Sequence, residues 1–143
     1  MFLKRSVQAV VAVAVLMAAA PAAAAADGPD AIQGVWRNPK NSVHVDIKPC
    51  GKGMCGYVVW ASPKAQKDVK EAGGELLGMQ LLRNFEKTDR GAWRGKVYVP
   101  DVRATFSGTA ELVDSNTLRA KGCLFAGIGC KVQLWKRLTA AAD

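Results

Sequence analysis

Residues 43–60, which read VHVDIKPCGKGMCGYVVW, decide the fold of this chain. The first six residues alternate apolar and polar side chains, and this period of two predicts a strand with one dry face and one wet face. A turn rich in glycine follows over residues 49–56, and an apolar run from Tyr57 to Trp60 resumes the strand character. The stretch therefore predicts a β-hairpin with a cysteine near each end of its turn.

The same alternation recurs after this hairpin and before it. It is clearest over residues 104–112, where alanine, phenylalanine, glycine and leucine interleave with polar side chains. Met79, Leu81 and Phe85 would share one face of a strand over residues 76–85. Residues 61–75 lack the pattern. Ala65 and Val69 would share one face of a short helix here, and the segment is either a lid or, as the favoured interpretation, a solvated loop. The expected strands lie near residues 34–36, 43–48, 57–60, 76–85, 93–99, 103–112, 117–122 and 132–137.

About eight short strands joined by tight turns predict an all-β fold in which neighbouring strands are antiparallel. A sheet of this size has to close on itself or split into two layers to bury its apolar face and protect its edges. We expect a closed antiparallel up-and-down barrel, and an open sandwich is the alternative.

The N-terminal residues 1–26 have the composition of a secretory signal peptide. Lys4 and Arg5 precede an apolar run over residues 7–20, and three alanines at 24–26 satisfy the small-x-small cleavage rule. The run is shorter than the ~20 residues of a membrane-spanning helix, so a retained anchor is the less favoured alternative. We expect a signal peptide over residues 1–26, a single barrel domain over 27–143, and a periplasmic or secreted protein.

The charge of the remaining chain favours anionic partners. Without Lys4 and Arg5, 18 basic side chains face 12 acidic ones, a net charge of +6. Such an excess favours adsorption to phosphate-bearing lipid or polysaccharide outside the cell. The basic residues form no run, so a nucleic-acid partner is not expected.

The four cysteines form two close pairs in the sequence, Cys50 with Cys55 and Cys123 with Cys130. Four cysteines allow three pairings, and each local pair spans a turn that contains glycine. Export to an oxidising compartment favours these two disulfides. A zinc site is the rival interpretation, but the two-residue spacing typical of zinc knuckles is missing.

A set of motifs extends through nearly all of the chain after residue 26. They are Gly34-x-Trp36, Cys50-x4-Cys55-Gly56, Val59-Trp60, Leu77-Gly78, Phe85, Trp93-x-Gly95-Lys96-x-Tyr98-x-Pro100, Gly122-Cys123, Cys130 and Trp135-x-Arg137. Together these motifs resemble a known family, that of domain of unknown function 2147, which comprises small exported bacterial proteins, and the chain departs from the family pattern over residues 64–75 and 99–103. The resemblance implies a lipocalin-like, or calycin, barrel with no established activity, in which Trp36 closes one end and Arg137 lies across it.

Residues able to carry catalysis are few. His44 is the only histidine, and it lies on the polar face of its strand without a serine–acid arrangement around it. No glycine-rich phosphate loop precedes a helix. We therefore expect no enzyme activity, no metal site and no cofactor.

Binding is the better supported class of function. Small barrels are filled by their own side chains or hold one small ligand. If a cavity exists, we expect Trp36, Met79, Trp93 and Phe106 to line it with apolar surface, and Tyr57 or Tyr98 to orient the ligand.

The leading hypothesis is therefore an exported barrel that binds a small apolar or anionic amphiphilic molecule. The alternative is a protein-interaction module of the cell envelope, such as a stress factor or a hydrolase inhibitor, that uses the two disulfide-closed loops.

Overall fold

A computed structural model describes residues 31–125 and 128–138. The predicted signal peptide, residues 1–26, lies outside the described residues. The chain forms eight strands and one helix in the order β1 (Gly34–Arg37), β2 (Val43–Cys50), β3 (Gly53–Ala61), α1 (Pro63–Glu71), β4 (Gln80–Lys87), β5 (Trp93–Val99), β6 (Ala104–Asp114), β7 (Thr117–Phe125) and β8 (Ile128–Leu138).

The strands form one closed antiparallel barrel. Each strand pairs with the next along the chain, and β1 pairs with β8 through Trp36 and Arg137 to complete the ring. The prediction of a closed up-and-down barrel is confirmed, and the open sandwich is wrong. Closure leaves no unpaired edge, which is the physical advantage of a barrel over an open sheet.

Both disulfide hairpins are tighter than the sequence predicted. In the first, Cys50 pairs with Gly53, so the turn contains only Gly51 and Lys52. Gly51 has a φ of 57°, a left-handed conformation that glycine adopts without strain. In the second, Cys123 and Cys130 are direct cross-strand partners. Gly53, Gly56 and Gly129, which indicated longer turns, lie within strands instead.

Strand β4 begins later than predicted and changes face in its middle. It starts at Gln80, and its pairing with β5 shifts register between Arg83 and Glu86. Asn84 has a φ of 50°, the conformation of a residue inserted at a bulge. Leu82 and Phe85 line the barrel cavity on either side of this bulge, and Leu81, which the sequence placed on the same face as Phe85, is buried in the same core cluster.

Helix α1 has the capping signals that its sequence encodes. The Ser62 hydroxyl accepts a hydrogen bond from the Ala65 amide at 3.1 Å, and Pro63 occupies the first turn. Val69 is the buried residue of the helix, and Lys64–Asp68 and Lys67–Glu71 ion pairs cover its exposed side. The sequence favoured a solvated loop over residues 61–75, whereas the structure has a helix over Pro63–Glu71.

The up-and-down topology separates the connections into two ends. One end, here called the floor, has the residues before β1 and the β2–β3, β4–β5 and β6–β7 turns. The other end, here called the mouth, has the β1–β2 turn, helix α1, the β5–β6 turn and the β7–β8 hairpin. The Cys50–Cys55 disulfide lies at the floor and the Cys123–Cys130 disulfide at the mouth.

Candidate ligand-binding site

The barrel encloses a cavity of about 600 Å³. This volume falls within the range of about 300–1,000 Å³ that is typical of small-molecule sites. Its lining combines aliphatic and aromatic side chains with a few charged ones. The main lining residues are Trp36, Val45, Ile47, Leu82, Phe85, Val97, Val99, Phe106, Ala110, Leu118, Ala120, Gly122, Gln133 and Trp135.

The floor half of the interior is solid. Trp36 is 0% exposed, and Ile47 and Phe85 are each 2% exposed, so these side chains pack against one another rather than against solvent. Val97 and Phe106, which lie near the mouth ends of β5 and β6, are only half-buried. The free volume therefore lies towards the mouth, as a cup above a packed floor.

Three inward glycines in one row across the sheet determine where the cup begins. Gly95 pairs with Gly108, and Gly108 pairs with Gly122. A Cβ atom on Gly95 would lie 2.5 Å from the Phe85 ring, and one on Gly108 would lie 2.5 Å from Val97. A Cβ on Gly122 would meet nothing within 4 Å. The first two glycines make room for core side chains, and the third opens onto empty space.

The floor is closed by Trp36 and Arg137. The Arg137 guanidinium carbon lies 4.2 Å from the Trp36 ring centroid, in a cation–π arrangement. The same guanidinium donates hydrogen bonds to the carbonyl oxygens of Ala31 (2.7 Å), Gln33 (2.5 Å) and Ser115 (2.8 Å). Burial lowers the pKa of Arg137. One side chain thus ties the residues before β1 to the β6–β7 turn, in the geometry that the resemblance implied.

The mouth carries most of the charge in the cavity lining. Lys40 and Lys131 contribute to it, with Asp101 as the acidic residue among the described lining residues, whereas Lys121 borders the cavity but pairs with Val132 and faces outward. Lys131 is the cross-strand partner of Gly122, so it lies beside the open space. A ligand that enters the cup would meet apolar side chains inside and an excess of positive charge at the rim.

Only two of the six predicted ligand-binding residues line this cavity. Trp36 belongs to its floor and Phe106 to its open half. Trp93 is buried in the core cluster, and it is not among the described lining residues. Tyr57 lies where the Lys48 ammonium is 4.9 Å from its ring centroid, and it too is absent from the described lining.

Met79 and Tyr98 line a second cavity instead. This pocket of about 400 Å³ lies between the C-terminal end of α1 and the β5–β6 turn, with Val69 and Arg103 as further lining residues. Arg83 lies 5.0 Å from the Tyr98 ring centroid. The two segments that form this pocket are the ones in which the chain departs from the family pattern.

His44 has a structural environment. Its ring stacks on Trp60 at a centroid distance of 4.3 Å, and its Nε2 atom is hydrogen-bonded to the Asn41 side-chain oxygen at 2.7 Å. Partial burial and the positive charge of Arg37 lower the pKa of His44. These contacts orient the β1–β2 turn and give the ring no substrate-facing position.

Sequence reasoning missed three inward residues of β8. Lys131, Gln133 and Trp135 line the cavity, whereas the aliphatic Val132 and Leu134 are 51% and 49% exposed on the outer face. The expected pairing of Arg137 with Trp36 already indicated which residues of β8 face inward. Since side chains alternate along a strand, an inward Arg137 requires the other odd-numbered residues of β8 to face inward as well.

Taken together, the closed eight-stranded ring, the closed floor and the open cup define a lipocalin-like barrel. The chain belongs to the family described as uncharacterized protein conserved in bacteria (DUF2147), which it matches over residues 34–137. Among curated proteins, no sequence matches it.

A solved structure supports this assignment of the fold. Protein HP1028 from Helicobacter pylori, described as belonging to the lipocalin family, is similar with a TM-score of 0.62. The two chains are 16% identical, and the match covers 76% of this chain and 83% of the other. At this identity, the similarity shows the fold alone.

Proposed function

We propose that this protein binds one small amphiphilic molecule, with its hydrocarbon part in the cup and an anionic group at the mouth. The observation that carries the proposal is the open space beside Gly122, in an interior whose floor half is fully packed. A side chain at position 122 would make the folded barrel more stable, because filled interiors are more stable than those with voids. The open space is therefore not explained by stability alone.

The charge of the mouth supports the anionic head group. Lys40, Lys131 and Asp101 contribute to the described lining, and the apolar surface lies deeper. An anion at the rim would keep its hydration on one side and gain attraction from the lysines. Gln133, which accepts a hydrogen bond from the Trp135 indole at 3.0 Å, offers a polar contact beside the apolar wall.

The two disulfides and the predicted signal peptide support a periplasmic or secreted location for this activity. No helix in residues 31–125 and 128–138 is long and apolar enough to cross a membrane.

The alternative function is a protein-interaction module that uses both disulfide loops together. It is less favoured because the loops lie at opposite ends of the barrel, so one partner surface could not readily contact both.

The proposal is tested by native mass spectrometry of the protein purified from its own bacterium. We expect a co-purifying mass of a few hundred daltons in the wild type, and its loss in a Gly122→Leu variant that fills the cup. Ser107→Leu adds the same side chain to the outer face of the adjacent strand, where Ser107 is exposed and pairs with Cys123, and it should keep the ligand. An apo mass in the wild type, or a ligand that survives Gly122→Leu, would contradict the proposal.

A further inference from the structure

The most exposed large aliphatic side chains of the described residues all lie at the mouth. Ile128 is 73% exposed, Leu124 is 66% exposed and Val102 is 61% exposed. Scattered exposed aliphatic residues are ordinary on protein surfaces, but these three are at the same end of the barrel. Val102 and Leu124 also line the cavity, so the apolar surface at the rim continues into the cup.

Positive charge surrounds this apolar rim. Lys40 and Lys131 are exposed at the mouth and Lys121 is exposed on the outer face of β7, and none of the three takes part in the ion pairs found among the described residues, two of which lie on helix α1. Residues 31–125 and 128–138 contain 18 basic and nine acidic side chains, so the whole barrel is attracted to a negative surface. The attraction falls off within about 10 Å at ordinary ionic strength, which gives the mouth lysines the largest effect once the rim is in contact.

From this combination we infer that the mouth docks on the surface of an anionic lipid bilayer, where the cup loads or releases its amphiphile; this inference rests on the proposed function. A bilayer is a partner that offers both hydrocarbon for the aliphatic rim and phosphate for the lysines. A charged polysaccharide would satisfy the lysines but would leave Leu124 and Ile128 in water. In the docked orientation, an acyl chain passes from the bilayer to the cup without crossing bulk water.

Co-sedimentation with lipid vesicles tests the inference on the full processed chain. The probes are vesicles of phosphatidylcholine alone and vesicles that contain phosphatidylglycerol as the anionic lipid. We expect binding to the anionic vesicles that weakens as salt is added. Lys40→Gln and Lys131→Gln should each weaken it about fivefold, the effect of one basic residue close to an anionic surface.

A matched pair of double variants locates the contact. Leu124→Ser with Ile128→Ser removes the aliphatic rim and should weaken binding at least tenfold, roughly the effect of withdrawing two aliphatic side chains from hydrocarbon. Val113→Ser with Leu134→Ser is the control, because these two aliphatic residues lie away from the mouth and are 58% and 49% exposed. This variant should bind vesicles within about twofold of the wild type.

Four outcomes would overturn the inference. With the wild type, they are equal binding to both kinds of vesicle, and no binding to either. With the variants, they are an equal loss in the two double variants, and a rim variant that instead disperses a dimer of the chain in sedimentation velocity. The Gly122→Leu variant separates this inference from the proposed function. If Gly122→Leu still binds vesicles and the rim variant still binds its ligand, then vesicle docking and ligand binding can be lost independently of each other.

Discussion

At the scale of single residues, the three glycines in one row of the sheet have opposite roles although they look alike in the sequence. Gly95→Ala places a methyl group 2.5 Å from the Phe85 ring and 2.6 Å from the Arg83 carbonyl oxygen. We expect it to lower the free energy of unfolding by about 1–3 kcal/mol, the usual cost of overpacking a core. Urea denaturation monitored by circular dichroism measures this change.

Gly122→Ala is the matched control for that substitution. The added methyl group meets open space, and alanine restricts the unfolded chain more than glycine does. We expect a free energy of unfolding that is unchanged or up to about 1 kcal/mol higher. Equal destabilisation by the two substitutions would show that the interior beside Gly122 is packed, contrary to the structure.

Arg137 provides the second test at this scale. Arg137→Lys keeps the positive charge, but one ammonium nitrogen cannot take the places of the three guanidinium nitrogens that each donate to a different carbonyl oxygen. We expect a loss of about 2 kcal/mol in the free energy of unfolding. The exposed Arg94→Lys should change it by less than about 0.5 kcal/mol, and a similar effect of the two substitutions would argue against the role of Arg137 in closing the floor.

At the scale of elements, helix α1 depends on a cap that can be removed by one substitution. Ser62→Ala removes the acceptor for the Ala65 amide and should cost about 1 kcal/mol, whereas Ser62→Asn retains a capping oxygen and should cost much less. Amide hydrogen exchange over residues 63–72 reports the change directly. Equal exchange in the two variants would show that packing of Val69, rather than the cap, holds the helix.

The sequence predicted the elements better than their ends and faces. Strict alternation, as in Ala104–Asp114, identified strands because only a period of two buries one face of a sheet. Glycine beside cysteine indicated long turns, but the cross-strand pairs Cys50–Gly53 and Cys123–Cys130 extend the strands almost to the hairpin tips. The bulge at Asn84 was not predictable, because local sequence does not specify which residue of a strand is left unpaired.

At the scale of the whole molecule, the predicted barrel is confirmed, but the sequence did not predict which parts of its interior are filled and which are open. The sequence showed a mixture of large and small inward residues, which is compatible with a tapered core or with a slot. The structure has both, a packed floor around Trp36 and a cup beside Gly122. The space at Gly95 is filled by Phe85, which follows the bulge at Asn84 on the neighbouring strand, so the sequence around the glycine does not reveal it.

The central claim is that the cup receives the hydrocarbon part of an amphiphile, and tryptophan fluorescence tests it most directly. Trp135 lines the cup, so an anionic amphiphile with bromine on its alkyl chain should quench the emission of the wild type in a saturable way. Gly122→Leu should abolish that quenching, and Ser107→Leu should leave it unchanged. Quenching that never saturates, or that is the same in Gly122→Leu as in the wild type, would contradict the account.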